Sequence, residues 1–149
     1  MPVMKQKSIK PARDVPYAEG ILMYNGSGAG IGKNILVRID HGSLQGNGLR
    51  MTKAQANTDE GGGKVPLFVT KHAVPAGKWG VVLPWSIVQN VNTNSVTAEG
   101  DAIYLQNGAT GTWGHAKGTV HRAVGVCIKK SLTEGIILLS PGMFTYGTD

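Results

Sequence analysis

With 149 residues the chain is long enough for one domain with a buried core, and a hydrophobic fraction of 41% excludes an intrinsically disordered protein. Only 16% of the residues are charged while 22 are glycine, about twice the usual share of ~7%, which argues for short strands joined by tight turns rather than helices. The formal net charge of +6 favours an acidic partner (nucleic acid, a membrane surface or an acidic protein face), and a single cysteine, Cys127, excludes an intrachain disulfide and a cysteine-based zinc cluster.

Residues 1–16 hold Pro2, Pro11 and Pro16 together with Lys5, Lys7, Lys10 and Arg13, and few large apolar groups. They are expected to form an extended basic N-terminal arm, with residues 17–149 as a single β domain. No apolar run follows the first cations, so a signal peptide is not expected, and no window reaches the ~18 apolar residues of a membrane helix. The expectation is a soluble product made in the cytoplasm, with no membrane partner. The four cations of the arm are the candidate binding residues. Such an arm orders against a partner by adding backbone hydrogen bonds to a foreign sheet edge while its cations meet carboxylates.

Two apolar runs, "AEGILMY" (18–24) and "NILVRID" (34–40), flank the glycine-rich stretch "YNGSGAGIGKN" and predict strand, loop and strand. The stretch invites comparison with a phosphate-binding loop. In the pattern G-x-x-x-x-G-K-[ST] the first glycine falls on Ser27 and the terminal hydroxyl residue on Asn34, so both anchors fail. The dinucleotide pattern G-x-G-x-x-G fails as well, because Gly26, Gly28, Gly30 and Gly32 alternate strictly and a strand-like segment follows. No nucleotide or other cofactor is implied. Residues 41–64 are polar and glycine-punctuated, and predict a long surface loop with at most a helical turn or two in "MTKAQAN".

From Val65 onward Pro66, Pro75, Gly77, Gly80 and Pro84 break "VPLFVTKHAVPAGKWGVVLPWSIVQNVNT" into short strands. "DAIYLQ" and "TWGH" predict a hairpin about Asn107-Gly108, where positive φ costs little. "HRAVGVCIKKSLTEGIILLSP" predicts a second hairpin, strand 121–129 turning into strand 136–140, with Cys127 as a small core hydrophobe. Strands at roughly 8–12-residue spacing define an all-β fold, either a jelly-roll sandwich or a small β-barrel, carrying the extended arm.

Catalytic constellations are weak. His115 and His121 lack a neighbouring carboxylate or cysteine to complete a metal set, and the Asp, His and Ser of "RIDHGS" stand in sequence without a nucleophile elbow. The expectation is a non-enzyme with no small-molecule substrate. Trp79, Trp85 and Trp113 sit beside glycine or proline at predicted strand ends, where they either close a barrel core or stack on bases. The latter gives the alternative reading, a barrel that binds single-stranded nucleic acid.

The segment 95–142 contains Gly100-Asp101-Ala102-Ile103-Tyr104, Thr112-Trp113, Ala123-Val124-Gly125-Val126 and Gly135 to Leu139. This succession resembles the head-decoration, or cement, proteins of tailed bacteriophages, with "VPAGKWGVVLPWSIV" similar to the segment upstream; the resemblance covers roughly residues 65–142. It implies a structural capsid protein on the outer surface of the virion. Such a protein binds the major capsid protein after the shell expands, bridges neighbouring subunits and groups with itself as dimers or trimers.

Overall fold

The computed structural model describes residues 20–59, 61, 65–108 and 110–143; the predicted arm and its Lys5, Lys7, Lys10 and Arg13 lie outside them. Among the described residues the fold is nearly all β. Strands β1 (Ile21–Asn25), β2 (Leu36–Gln45), β3 (Gly48–Lys53), β4 (Leu67–Thr70) and β5 (Trp79–Leu83) close a barrel in the order β1-β3-β2-β4-β5. Strands β6 (Ser86–Val91), β7 (Ala102–Leu105), β8 (Trp113–Gly114), β9 (Ala123–Lys129) and β10 (Gly135–Leu139) form a second sheet, ordered β6-β10-β9-β7-β8. A 3₁₀ turn, Pro141–Met143, follows it. Of the two predicted architectures the barrel is the one found.

Side-chain alternation explains how the two bodies join. Adjacent strand residues point to opposite faces, and Leu36 and Val37 of β2 are both fully buried. Val37 turns inward with Met23, Ile31, Met51, Val74 and Val82 to fill the barrel. Leu36 turns outward with Ala54, Leu67 and Val69, and packs against Val88, Ile103, Val124, Cys127, Ile137 and Leu139 of the second sheet. Cys127 is therefore the small core hydrophobe expected from its apolar context. A strand covered on both faces reads as an unbroken apolar run, as "ILV" does.

The strand, loop, strand prediction across the glycine stretch holds locally, but β1 and β2 are not neighbours. Strand β3 lies between them and runs parallel to β1, with Tyr24 opposite Arg50 and Asn25 opposite Met51. The segment 41–64 requires a correction. Its first part is not a loop or a helical turn: β2 continues to Gln45, and β3 returns as an antiparallel partner with Leu44 opposite Leu49 and Gln45 opposite Gly48. The connection is Gly46-Asn47, with Gly46 at φ 61° in the position where a type II′ turn needs positive φ. The hairpin looks like a loop in sequence because it runs past the barrel end, where His41, Gly42 and Leu44 are exposed.

The two C-terminal hairpins follow the prediction closely. Strand β9 pairs β10 with Cys127 opposite Ile137 and Val126 opposite Leu138. Strand β7 pairs β8 across residues 106–112, a wider connection than a two-residue turn at Asn107-Gly108, although Gly108 does take φ 84°. Within this connection Gly111 has φ 66°, and a Cβ there would overlap the Leu36 carbonyl. Gly111→Ala combines left-handed backbone strain with a collision at the junction of the two sheets. It is expected to cost about 2–4 kcal/mol, read as a lower midpoint in urea denaturation with an unchanged slope.

Candidate functional site

The glycine stretch is built as a closed loop. Asn25, nearly fully buried, donates from Nδ2 to the carbonyls of Ala29 (2.8 Å) and Val74 (2.9 Å). Its Oδ1 accepts from the backbone N–H (3.0 Å) and hydroxyl (2.7 Å) of Ser27. Ile31 then exchanges two main-chain hydrogen bonds with Val74, and the chain enters strand β2. The helix N-terminus that a dinucleotide site uses does not follow this loop. Strong side-chain bonding shapes the loop from inside and points its exposed Lys33 outward.

The other sequence candidates stay apart. His115 follows β8 and His121 precedes β9, so they do not share one strand. Among the described residues no group of three His, Cys, Asp or Glu side chains gathers in a metal-binding arrangement. Asp40 of "RIDHGS" faces Arg50, with Oδ2 at 4.0 Å from Nε. The three tryptophans divide. Trp113 is half-buried, packs on the core shared by barrel and sheet, and donates from Nε1 to the Asn34 carbonyl at 3.0 Å. Trp79 and Trp85 are exposed.

Trp79 marks a surface that the sequence did not disclose. The second sheet covers the outer faces of β2 and β4, which leaves the outward residues of β3, β1 and β5 as an open wall. On it Tyr24 stands opposite Trp79 in register, with the rings edge to face at 5.5 Å and 67°. The Arg50 guanidinium lies 5.6 Å from the Tyr24 ring centre and donates from Nη2 to the Gly26 carbonyl at 3.4 Å. A cation over an exposed aromatic ring contributes roughly 0.5–1 kcal/mol, which biases the Tyr24 ring toward this placement. Trp79 is 42% exposed and Leu22, one step along β1, is 58% exposed.

A second apolar surface lies on the outer face of the other sheet. The register aligns Ile87 (β6), Leu138 (β10), Val126 (β9) and Ala102 (β7) in one row across four strands. Ile87 is exposed and the other three are half-buried. The barrel wall and this row are separated by both hydrophobic cores, so they face in opposite directions. Exposed apolar residues that cluster on a small protein are candidates for a binding surface. Periodicity could not find either surface, because "ILMYN" and "IILL" are apolar on both faces.

In comparisons with known proteins, no family model, no curated sequence and no solved structure matches the chain.

The wall depends on one close approach. The Trp79 ring lies over Gly48, so a Cβ at that position would overlap the six-membered ring. Gly48 has ordinary strand geometry, and the obstacle is a side chain that can swing away. Gly48→Ala is therefore expected to leave the fold intact while expelling the ring into water. In a Trp85→Phe background this appears as a red shift of the tryptophan emission, with the far-ultraviolet circular dichroism unchanged.

Proposed function

We propose that the chain is a structural decoration, or cement, protein of a tailed-phage head. It binds the outer surface of the expanded shell and bridges neighbouring major capsid subunits. The observation that supports this reading is a pair of apolar surfaces on separate sheets of one β body: Tyr24, Trp79 and Leu22 on the barrel, Ile87 and Leu138 on the second sheet. A protein that joins two neighbours needs two faces that can be occupied at once.

The residues of the family resemblance fall on structural devices that suit this role. Gly100-Asp101 forms the turn into β7, where Gly100 has φ 93° and the Asp101 carboxylate accepts from the Ala98 N–H at 2.9 Å. Thr112-Trp113 enters β8, Ala123 to Val126 lie in β9, and Gly135 to Leu139 are β10. Gly125 and Gly135 allow backbone to approach where a Cβ would overlap the carbonyls of Leu138 and Val91. In this reading the copies group as dimers or trimers on the shell. A linked oligomer raises the effective concentration of each further contact, so modest affinity per copy is enough.

A second reading, binding of single-stranded nucleic acid, is favoured by the Tyr24, Trp79 and Arg50 cluster, since aromatic faces beside a guanidinium stack on bases irrespective of sequence.

Co-sedimentation of the protein with expanded, undecorated heads across a salt series tests the main reading. Saturable binding in a fixed ratio to the shell protein is expected. Leu22→Ser with Trp79→Ala is expected to weaken it roughly 30-fold, the loss of a central apolar anchor. Replacing Lys5, Lys7, Lys10 and Arg13 by alanine together should also weaken attachment and flatten its salt dependence. Absence of binding to heads, with a salt-sensitive shift of oligothymidine that Trp79→Ala abolishes, would replace the cement reading by the second.

A further inference from the structure

Strand β6 is an edge of the second sheet. It pairs with β10 on one side and with no strand on the other among the described residues. In an antiparallel ladder every second residue turns its N–H and C=O away from the partner strand. Over Ser86–Gln89 those groups accept and donate no main-chain hydrogen bond among the described residues. The opposite edge, β8, is only the two residues Trp113–Gly114, too short to template a strand.

The space beside β6 is a groove of about 490 Å³, with Ser86, Ile87, Gln89 and Asn90 on one side and Lys33 and Lys71 on the other. Both lysines are exposed, and no carboxylate lines the groove among the described residues. Proteins commonly protect an open edge by placing charge, proline or a bulge on the edge strand itself. Strand β6 reads "SIVQNV", with neither charge nor proline. Its bulge, at Asn90 with φ 58°, lies at the far end and leaves Ser86–Gln89 regular. The two lysines belong to barrel loops that line the same groove.

We infer that β6 accepts an extended acidic segment of a partner protein as an added strand. The main chain of the segment would complete the open ladder of Ser86–Gln89. Its carboxylates would meet Lys33 and Lys71, and its apolar residues would cover Ile87, which is 53% exposed. Main-chain pairing supplies affinity in this mode, and the flanking side chains supply selectivity. Like charge excludes the basic arm of a second copy, with its Lys5, Lys7, Lys10 and Arg13, from the same groove. The inference goes beyond the head-decoration reading and does not need it: it specifies a partner by chemistry alone.

The test uses the full chain and two blocked, fluorescein-labelled hexapeptides, Val-Asp-Val-Asp-Val-Thr and Val-Lys-Val-Lys-Val-Thr. Fluorescence polarisation reads binding, and backbone amide exchange locates it. The acidic peptide is expected to bind saturably and to slow exchange of those amides within residues 86–89 that face away from β10, which exchange rapidly in the free protein while their ladder neighbours are already protected. Lys33→Glu with Lys71→Glu, both exposed positions, should weaken it about tenfold or more and transfer preference to the lysine peptide; Lys33→Gln with Lys71→Gln should fall between. The inference is overturned by no binding of the acidic peptide, by equal binding of both peptides, or by affinity unchanged in the charge-reversed variant. Protection confined to other strands, or outward-facing β6 amides already protected in the free protein, overturns it equally.

Discussion

The two halves of this fold are held in register by one glycine. Gly111, in the connection between β7 and β8, accepts from the Leu36 N–H and donates to the Ala54 carbonyl, each at 2.8 Å, while Ala54 donates to the Leu36 carbonyl at 3.0 Å. These bonds thread a loop of the second sheet between two segments of the barrel, closer than any side chain at that position would permit. Two further bonds, from Ala56 to the Gln106 carbonyl and from Val120 to the Ala56 carbonyl, continue the seam. The apolar residues about it are buried as a consequence. Leu36, Ala54 and Ala56 are fully inaccessible, although Leu36 points out of the barrel. Since the seam occupies the β2 and β4 side, the β3, β1 and β5 side is the one left open.

A buried cation works on the same junction. Arg122 is 1% exposed and donates from Nη1 to the Val65 carbonyl (2.9 Å) and from Nη2 to the Pro141 carbonyl (3.2 Å). It joins the entry to β4, the entry to β9 and the turn after β10. Burying a guanidinium is costly unless its donors are occupied. Main-chain carbonyls of two other chain segments meet that cost only when both are in place beside the entry to β9, which makes the arrangement cooperative.

The sequence disclosed what depends on local pattern. The β9–β10 hairpin, the burial of Cys127 and the irregular glycine stretch could be read from alternation and turn residues, because each is settled within a few positions. Non-local features could not. Nothing near Arg122 in "HRAVGV" distinguishes a buried arginine from a surface one, and the parallel pairing of β1 with β3 leaves no mark in either strand. The β2–β3 hairpin did carry a signal, Gly-Asn between two potential strands. It was obscured because the strands run beyond the core, where their polar residues resemble a loop. The open wall was hidden for the opposite reason: Leu22 and Tyr24 look like core residues, and only the position of the second sheet determines which barrel face stays uncovered.

That division has a consequence for how such a body binds. Both apolar surfaces are set on hydrogen-bonded strands, and Tyr24 and Trp79 are already fixed against each other, Arg50 and Gly48. Surfaces ordered beforehand lose little conformational freedom on contact, so more of the buried area appears as affinity. Each surface is also narrow: two rings and a leucine on the wall, one row on the sheet. On the head-decoration reading, a single contact of that size would give only weak attachment. Two such contacts would then make attachment strong only where a lattice presents both partners at the right separation. On the head-decoration reading the geometry would therefore reward an assembled, repeating target over its separate subunits, a selectivity that arises from spacing and needs no high-affinity site.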